Sequence, residues 1–237
     1  MMQKYYRLRG EFLKEIIGCK GPQIKSPNDE YSHWGSKSIR KIGSLKRGYN
    51  QFFKPEIPEM EIKQKAHTLD VLRTEILADF YNCIVISDRL LSFIKEWKTP
   101  DYGIHKINLF QNDNKKKTVI KKYNILAFYE TINIFIDYTK SNFLLTNYNI
   151  KTSKTEVIKE LRFDSHEAFI SFVNDNKIDV FGKDIKAERI ILCSDVNYEI
   201  FRLDKFGGYI VSERVKNAIE QAGFTGMRFE LAENIVA

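Results

Sequence analysis

The chain has few residues that break or cross-link the backbone, and it has no long apolar run. Its 237 residues include 12 Gly, 5 Pro and 3 Cys, which excludes collagen-like and low-complexity chains. The cysteines (Cys19, Cys83 and Cys193) are odd in number and form no CxxC pair, so a reducing cytoplasm fits better than a disulfide framework. The longest apolar runs, such as Cys83–Ile86, have four or five residues, whereas a membrane-spanning helix needs about 20. We therefore expect a soluble, cytoplasmic protein with no membrane segment and no secretory signal.

The charge of the chain is concentrated near its start. Hydrophobic residues make up 43% of the chain and aromatic residues 13%, enough for a sizeable core, and the formal net charge is +7. Residues 1–50 hold eleven Lys or Arg against four Asp or Glu, while the rest of the chain is neutral. Such an asymmetry is typical of a segment that binds nucleic acid, an anionic membrane or an acidic protein. A solvated surface without a specific partner is the alternative.

The residue patterns predict an α+β fold with a mixed or antiparallel sheet and a few short amphipathic helices. Residues 20–60 carry four of the five prolines and four of the 12 glycines together with several aromatics, which indicates an irregular segment packed on the core. We therefore divide the chain into a basic, aromatic-rich segment, 1–60, and an α+β domain, 61–237. The predicted helices are 69–77, 87–97, 165–173 and 213–222. The predicted strands are 84–86, 123–129, 132–138, 142–150, 155–163, 187–193, 198–203 and 227–231. Residues 111–117 are predicted to be a turn or loop.

Two segments resemble each other at an offset of 125 residues. Residues 79–94 (DFYNCIVISDRLLSFI) align without gaps on residues 204–219 (DKFGGYIVSERVKNAI). Both predict a strand, a serine N-cap, an acidic first helical residue, an arginine and an amphipathic helix. The similarity indicates two related strand–helix–strand units, and chance similarity between two capped helices is the alternative. In both readings Ser87 and Ser212 are N-caps rather than nucleophiles.

No motif in the sequence predicts an active site. The glycines at 43 and 48 have the spacing of a phosphate loop, but Tyr49 and Asn50 replace its Lys-Ser/Thr pair. The four histidines show no metal-ligand spacing, and no GxSxG elbow is present. We therefore expect no cofactor, no metal and no enzymatic activity, although a cysteine nucleophile and a histidine that meet only in space remain an open alternative. Cys83 and Cys193 lie in apolar runs, which favours buried structural thiols.

The C-terminal residues carry a recognisable signature. It consists of Phe201-Arg202, the run Val211-Ser-Glu-Arg214, and Ala222-Gly-x-Thr-Gly-x-x-Phe229. It resembles the closing signature of bacterial immunity proteins of polymorphic-toxin systems, a family first catalogued as a domain of unknown function. An upstream block that begins with Ile86-Ser-Asp-Arg89 also fits, so the resemblance spans about residues 70–232. The signature residues that we expect to support the fold are Ser87, Arg89, Ser212, Glu213, Arg214, Gly223, Gly226 and Phe229.

The resemblance implies a non-enzymatic inhibitor that binds a cognate toxin encoded next to it. The inhibitor would act by occlusion, either covering the toxin's active site or locking the toxin out of its working shape. A shared signature cannot itself select different toxins, so specificity is expected in variable loops and in the basic segment. The aromatic residues and cations of that segment are the types that anchor protein interfaces, and they are also the types that bind single-stranded nucleic acid. A nucleic-acid-binding or regulatory module is therefore the alternative function. The residues that we predict to face the partner are Trp34, Arg40, Lys46, Arg47 and Tyr49.

Overall fold

The computed structural model describes residues 3–25, 57, 59–73, 83–113, 116–128, 132–149, 152–176, 178, 183–203, 206 and 208–236. Within these residues the chain forms thirteen strands, four short α-helices and one 3-10 helix at Ile132–Phe135. The helices are α1 (Lys14–Ile17), α2 (Asp88–Ile94), α3 (His166–Asp175) and α4 (Glu213–Gln221). The strands are β1 (Tyr5–Gly10), β2 (Met60–Ile62), β3 (Val71–Leu72), β4 (Cys83–Ser87), β5 (Tyr102–Asp113), β6 (Lys116–Phe128), β7 (Asn142–Asn149), β8 (Lys154–Leu161), β9 (Lys183–Ile191), β10 (Ile200–Leu203), β11 (Gly208–Ser212), β12 (Met227–Leu231) and β13 (Ile235–Val236).

The described strands form three sheets. One sheet has the order β10-β11-β1-β12, a second has the order β13-β9-β7-β8, and a five-stranded sheet has the order β2-β5-β6-β4-β3. Neighbouring strands are antiparallel except for two parallel pairs, β2 with β5 and β13 with β9. The predicted α+β fold with mixed and antiparallel sheets is therefore confirmed. None of the helices in the described residues is long and apolar enough to cross a bilayer.

Strand β4 and the C-terminal half of β6 are buried on both faces of the five-stranded sheet, where side chains point alternately to its two sides. Val85 and Ile125 face one hydrophobic core, whereas Ile86 and Leu126 on the same two strands face another. The second of these cores also contains side chains of α2, α4 and the sheet β10-β11-β1-β12. The strands at the centre of the molecule are therefore nearly continuous apolar runs.

Residues 23–25 connect the two edges of the five-stranded sheet. The backbone N–H of Gln23 donates to the carbonyl of Arg73, directly after β3, over 2.9 Å. On the other edge, the N–H of Lys25 donates to Glu61 in β2 over 2.8 Å, and the carbonyl of Gln23 accepts from Lys63 over 2.9 Å. The sheet therefore curls around its own core, and residues next to α1 close it.

Most of the predicted elements are confirmed where the structure describes them. Ser87, Ser165 and Ser212 each accept a hydrogen bond from the backbone three residues ahead, so each is the N-cap of a helix. The meander predicted after residue 142 is present as β7 and β8. The strand predicted over 227–231 is β12 with the same bounds. The strands predicted over 187–193 and 198–203 correspond to β9 and β10 with bounds shifted by a few residues.

Three secondary-structure predictions are wrong. The β-branched run 132–138 suggested a strand, but local hydrogen bonds prevail: the Asn133 carbonyl accepts from the Ile136 N–H, and the Asp137 carbonyl accepts from Ser141. The turn or loop predicted over 111–117 is wrong for residues 111–113 and 116–117, because these residues continue β5 and β6, and residues 114–115 lie outside the described residues. The helix predicted over 69–77 is replaced in part by β3, and residues 74–82 lie outside the described part of the chain.

Strand β1 belongs to a sheet made otherwise of C-terminal residues. Tyr5 pairs with Ser212 in β11, and Leu8 pairs with Phe229 in β12. Residues 5–10 are thus an inner strand of the C-terminal sheet. The division of the chain at residue 60 stays a prediction.

Candidate functional site

The two similar segments fold into the same local structure. In each segment a strand runs into a serine whose hydroxyl caps the next helix: Ser87 Oγ accepts from the Leu90 N–H over 3.1 Å, and Ser212 Oγ accepts from the Val215 N–H over 3.2 Å. The backbone torsions of the two serines agree within one degree. The cap explains both hydroxyls, as the sequence predicted.

The structural repeat is longer than the sequence similarity. The order β3-β4-β6-β5 in one sheet matches the order β10-β11-β1-β12 in the other, so β1 takes the place that β6 has in the first repeat. The Ser87 N–H donates to the Asp70 carbonyl over 2.8 Å, and the Ser212 N–H donates to the Glu199 carbonyl over 2.9 Å. We call 70–128 the first repeat, and β10 to β12 together with β1 the second repeat. Shared strand order, pairing and caps favour a true repeat over chance similarity.

In each repeat the arginine is bound by a carboxylate that lies just before the first strand of that repeat. Arg89 makes two hydrogen bonds to Asp70, with Nε to Oδ1 at 3.2 Å and Nη2 to Oδ2 at 2.7 Å. Arg214 in the second repeat donates through Nε to Glu199 Oε1 at 2.8 Å. Asp70 and Glu199 directly precede β3 and β10, so the two ion pairs occupy corresponding positions.

The repeats meet along a seam in which each contributes to the other. The guanidinium of Arg89 lies 4.4 Å from the ring centre of Phe224, which follows α4. Reciprocally, the guanidinium of Arg214 lies 5.0 Å from the ring centre of Trp97, which follows α2. At this distance a guanidinium is attracted to the face of an aromatic ring.

Backbone hydrogen bonds across the seam are reciprocal as well. The Val71 N–H at the start of β3 donates to Thr225 past α4 over 3.1 Å. The Glu199 N–H at the start of β10 donates to Lys98 past α2 over 2.8 Å. The seam is therefore a pseudo-twofold interface inside one chain, and the residues after one helix fix the first strand of the other repeat.

Asp70 is the most densely bonded carboxylate of the seam. Besides Arg89, it accepts from Ser87 Oγ at 2.7 Å, and from the N–H and hydroxyl of Thr225 at 2.9 Å and 3.2 Å. Burial by itself would raise the pKa of Asp70, but the hydrogen bonds from Arg89, Ser87 and Thr225 outweigh it and hold that pKa below its ordinary value. Asp70 therefore stays ionised and joins elements from both repeats.

The acidic residues that follow the two caps also have corresponding partners. Asp88 Oδ1 accepts from Asn124 Nδ2 over 2.6 Å, and Glu213 Oε1 accepts from the Tyr6 hydroxyl over 3.2 Å. Asn124 and Tyr6 occupy equivalent places in the two sheets, opposite Ile86 and Val211. Both acidic residues also suit the positive end of their helix.

The glycines and the aromatic residue of the C-terminal signature complete the seam. Gly226 has φ +86°, and a Cβ built on it would lie 2.3 Å from the carbonyl oxygen of Val71. Gly223, with φ +65°, ends α4 with no atom near its missing Cβ, and its carbonyl accepts from Arg89. Phe229 packs against the hydrophobic core that the repeats share. All eight signature residues are therefore brought together in and around the seam.

A small apolar cavity of about 20 Å³ lies between the repeats. Equivalent residues of the two repeats line it, with Val71 and Ile86 on one side and Ile200 and Val211 on the other. A space of this size holds about one water molecule, and it offers no polar group to bind one. The cavity is a packing defect of the seam rather than a ligand site.

Burial shifts the pKa values of several nucleophilic and titratable groups among the described residues. Burial raises the pKa of the Cys83 thiol to about 12 and also raises the pKa of Cys193. Burial lowers the pKa of His105, which stays neutral near pH 7. Among the described residues, no group of three or more His, Cys, Asp or Glu could hold a metal ion. The predicted burial of Cys83 is confirmed, while Cys193 is only partly buried.

The five residues predicted to face a partner (Trp34, Arg40, Lys46, Arg47 and Tyr49) lie outside the described residues, so this prediction stays as it was. Sequence reasoning missed Asp70, Glu199, Trp97 and Phe224. A usable signal existed for two of them, because Asp70-Val-Leu-Arg73 matches Glu199-Ile-Phe-Arg202 at an offset of 129 residues. The chain matches no family model and no curated protein.

Proposed function

We propose that this chain is a non-enzymatic immunity protein that binds a cognate bacterial toxin domain and neutralises it by occlusion. The observation that carries the proposal is the convergence of the signature residues. Arg89 from the upstream block contacts Gly223 and Phe224 of the C-terminal block, although more than 130 residues separate them. Residues that resemble one family in two distant parts of the sequence thus form one structural unit.

A rigid scaffold supports inhibition by occlusion. A surface that is already ordered loses little conformational entropy when it binds, so more of its contact energy contributes to affinity. The reciprocal contacts of Arg89 and Arg214 hold two sheets in a fixed relation, and α2 and α4 share one core with both sheets. An immunity protein must act at low concentration and therefore benefits from such preorganisation.

The signature residues support the scaffold rather than select the toxin. Ser212 is almost fully buried, and Arg89 and Arg214 are bonded within the chain. Side chains used in this way cannot discriminate between toxins, so the proposal assigns specificity to surfaces outside the signature. It also places the chain in the cytoplasm, where its three free cysteines would stay reduced.

The test is co-production with the neighbouring gene product. The C-terminal domain of that product should kill cells when produced alone, and the present chain should restore growth. The two proteins should also co-purify in stoichiometric amounts at about 0.5 M salt, where screening weakens purely electrostatic association.

The variants Gly226→Ala and Gly223→Ala form a matched pair that tests the scaffold, since only the first places a Cβ against backbone. Unchanged killing in the presence of the chain would refute the proposal. Nucleic acid that co-purifies and washes off with salt would favour the alternative function.

A further inference from the structure

The β5–β6 hairpin is the largest departure from the symmetry of the two repeats. β5 and β6 have 12 and 13 residues, whereas their counterparts β12 and β1 have five and six. The pairing of Ile104 with Leu126 corresponds to the pairing of Phe229 with Leu8. The distal part of the hairpin, from Leu109 onward, has no counterpart in the described residues of the second repeat. This extension is not needed to complete the repeat.

The extension concentrates positive charge in a part of the chain that is otherwise neutral. Residues 51–237 contain equal numbers of acidic and basic residues. Between residues 107 and 122, however, one acidic residue, Asp113, stands against five cations: Lys115, Lys116, Lys117, Lys121 and Lys122. The charge therefore belongs to the largest departure from the symmetry of the two repeats.

One of these cations, Lys122, lies in a β-bulge of the hairpin. Ile107 pairs with Tyr123 and Leu109 pairs with Ile120, so two residues of β6 stand opposite one residue of β5. Lys122 lies in this bulge with φ +90°, a conformation that residues other than glycine rarely adopt. Its side chain is exposed, while the neighbouring Tyr123 is anchored in the core. Bulges of this kind often re-aim a side chain for function.

The outer face of the extension combines apolar surface with cations. Val119 is 51% exposed and stands opposite Phe110. The ammonium of Lys117 lies 4.4 Å from the ring centre of Phe110 and 2.6 Å from the carboxylate of Glu59. Lys106, which lies on β5 just before the extension, is also exposed. Neither Lys106 nor Lys122 forms an ion pair within the described part of the chain.

We propose that this outer face, formed by Lys106, Phe110, Val119 and Lys122, docks an acidic protein surface. The inference rests on the proposed function, in which that surface belongs to the toxin domain. An exposed aliphatic side chain flanked by cations resembles the apolar centre and polar rim of a protein interface. Single-stranded nucleic acid would need free aromatic faces for stacking, and Lys117 already covers a face of Phe110. The observations therefore favour a protein.

The test compares two charge reversals of equal size on different sheets. Lys106→Glu with Lys122→Glu changes the proposed face, and Lys154→Glu with Lys159→Glu changes the exposed strand β8 by the same net charge. The probe is the toxin domain encoded next to this chain, and calorimetry measures its affinity at low and high salt. We expect the hairpin variant to bind at least about tenfold more weakly at low salt, with a shallower salt dependence, and the β8 variant to stay within about twofold of the wild type.

Each outcome bears on the proposal. Equal affinity of the wild type and the hairpin variant overturns it, and loss of affinity in the β8 variant alone moves the interface to β8. If the wild type does not bind the toxin domain, the proposed function itself fails. That result differs from the case in which both the wild type and the hairpin variant bind tightly, which overturns only the docking proposal. If the hairpin variant melts at a lower temperature than the wild type, Val119→Glu tests the same face through an exposed side chain and should also weaken binding.

Discussion

Replacing Asp70 with asparagine tests whether this carboxylate joins the two repeats. The substitution keeps the size of the side chain but turns one acceptor oxygen into a donor. Oδ1 accepts from Ser87 and Arg89, and Oδ2 accepts from Arg89 and Thr225. An asparagine can keep the bond from the Thr225 N–H and turn its amide toward the Ser87 hydroxyl. It cannot keep both bonds from Arg89 or the charge that attracts them.

The expected cost follows from the bonds that are lost. A hydrogen bond to a charged group contributes about 1.5–3 kcal/mol, but Arg89 is 56% exposed and regains water when released. We therefore expect Asp70→Asn to lower the free energy of unfolding by about 2 kcal/mol. The matched control is Glu199→Gln, because Oε1 of Glu199 takes both bonds from Arg214 and a glutamine oxygen can replace it. With Arg214 72% exposed, the control should cost less than about 1 kcal/mol.

Equilibrium unfolding in urea measures both variants, with Trp97 in the seam as a fluorescent reporter. The pH dependence gives a second, independent criterion. The pKa of Asp70 is lowered in the folded protein, so its contribution is complete above the unfolded pKa of about 3.9 and is lost as the pH falls through the folded value. The difference between wild type and Asp70→Asn should therefore shrink below about pH 4. Equal costs for Asp70→Asn and Glu199→Gln, or a difference that does not change with pH, would refute the role given to Asp70.

Three further predictions concern the seam and the core. Gly226→Ala should lower the free energy of unfolding by about 3 kcal/mol or more, since its Cβ would lie 2.3 Å from the Val71 carbonyl oxygen. Gly223→Ala should lower it by only about 1 kcal/mol, because of the positive φ at this position. Similar urea midpoints for the two variants would contradict this prediction. Val211→Ile should fill the cavity of about 20 Å³ and raise the free energy of unfolding by about 0.5 kcal/mol, and a lower melting temperature would show that the cavity walls cannot accommodate a methyl group. The Cys83 thiol, with its pKa raised to about 12, should not react with a disulfide reagent at pH 8 until urea unfolds the protein, and rapid reaction of a variant that retains only this cysteine would count against its burial.

Local signals in the sequence predicted the features that depend on neighbouring residues. The helices after Ser87 and Ser212 combine a cap, an acidic first residue and an apolar stripe within a few positions, and both are present. For the segment 132–138, only the composition of β-branched and aromatic residues predicted a strand. The carbonyls of Asn133 and Asp137 accept local hydrogen bonds there, and the segment forms a 3-10 helix followed by turns. Strand propensity does not decide the structure where side-chain and turn hydrogen bonds offer the backbone an alternative to sheet pairing.

Long-range pairing explains why the seam could not be predicted. Asp70 and Thr225 are separated by 155 residues, and no periodicity indicates that they meet. Likewise nothing local in Tyr5–Gly10 announces that the strand lies between β11 and β12. The similarity of 79–94 to 204–219 indicated two related units but not that they meet, and the four-residue match of 70–73 to 199–202 adds the two carboxylates only once the sheets are known.

The position of β1 in the second repeat has a consequence for synthesis of the protein on the ribosome. Both neighbours of β1 are made about 200 residues later, which at about 5–20 residues per second means roughly ten to forty seconds of translation. During that interval the strand has no partner in its sheet, whereas β4, β5 and β6 of the first repeat can pair as soon as they emerge. The first repeat is therefore expected to fold during translation, and the second only after it ends. A nascent chain arrested before residue 208 should thus protect the first repeat from protease while β1 stays open to cleavage.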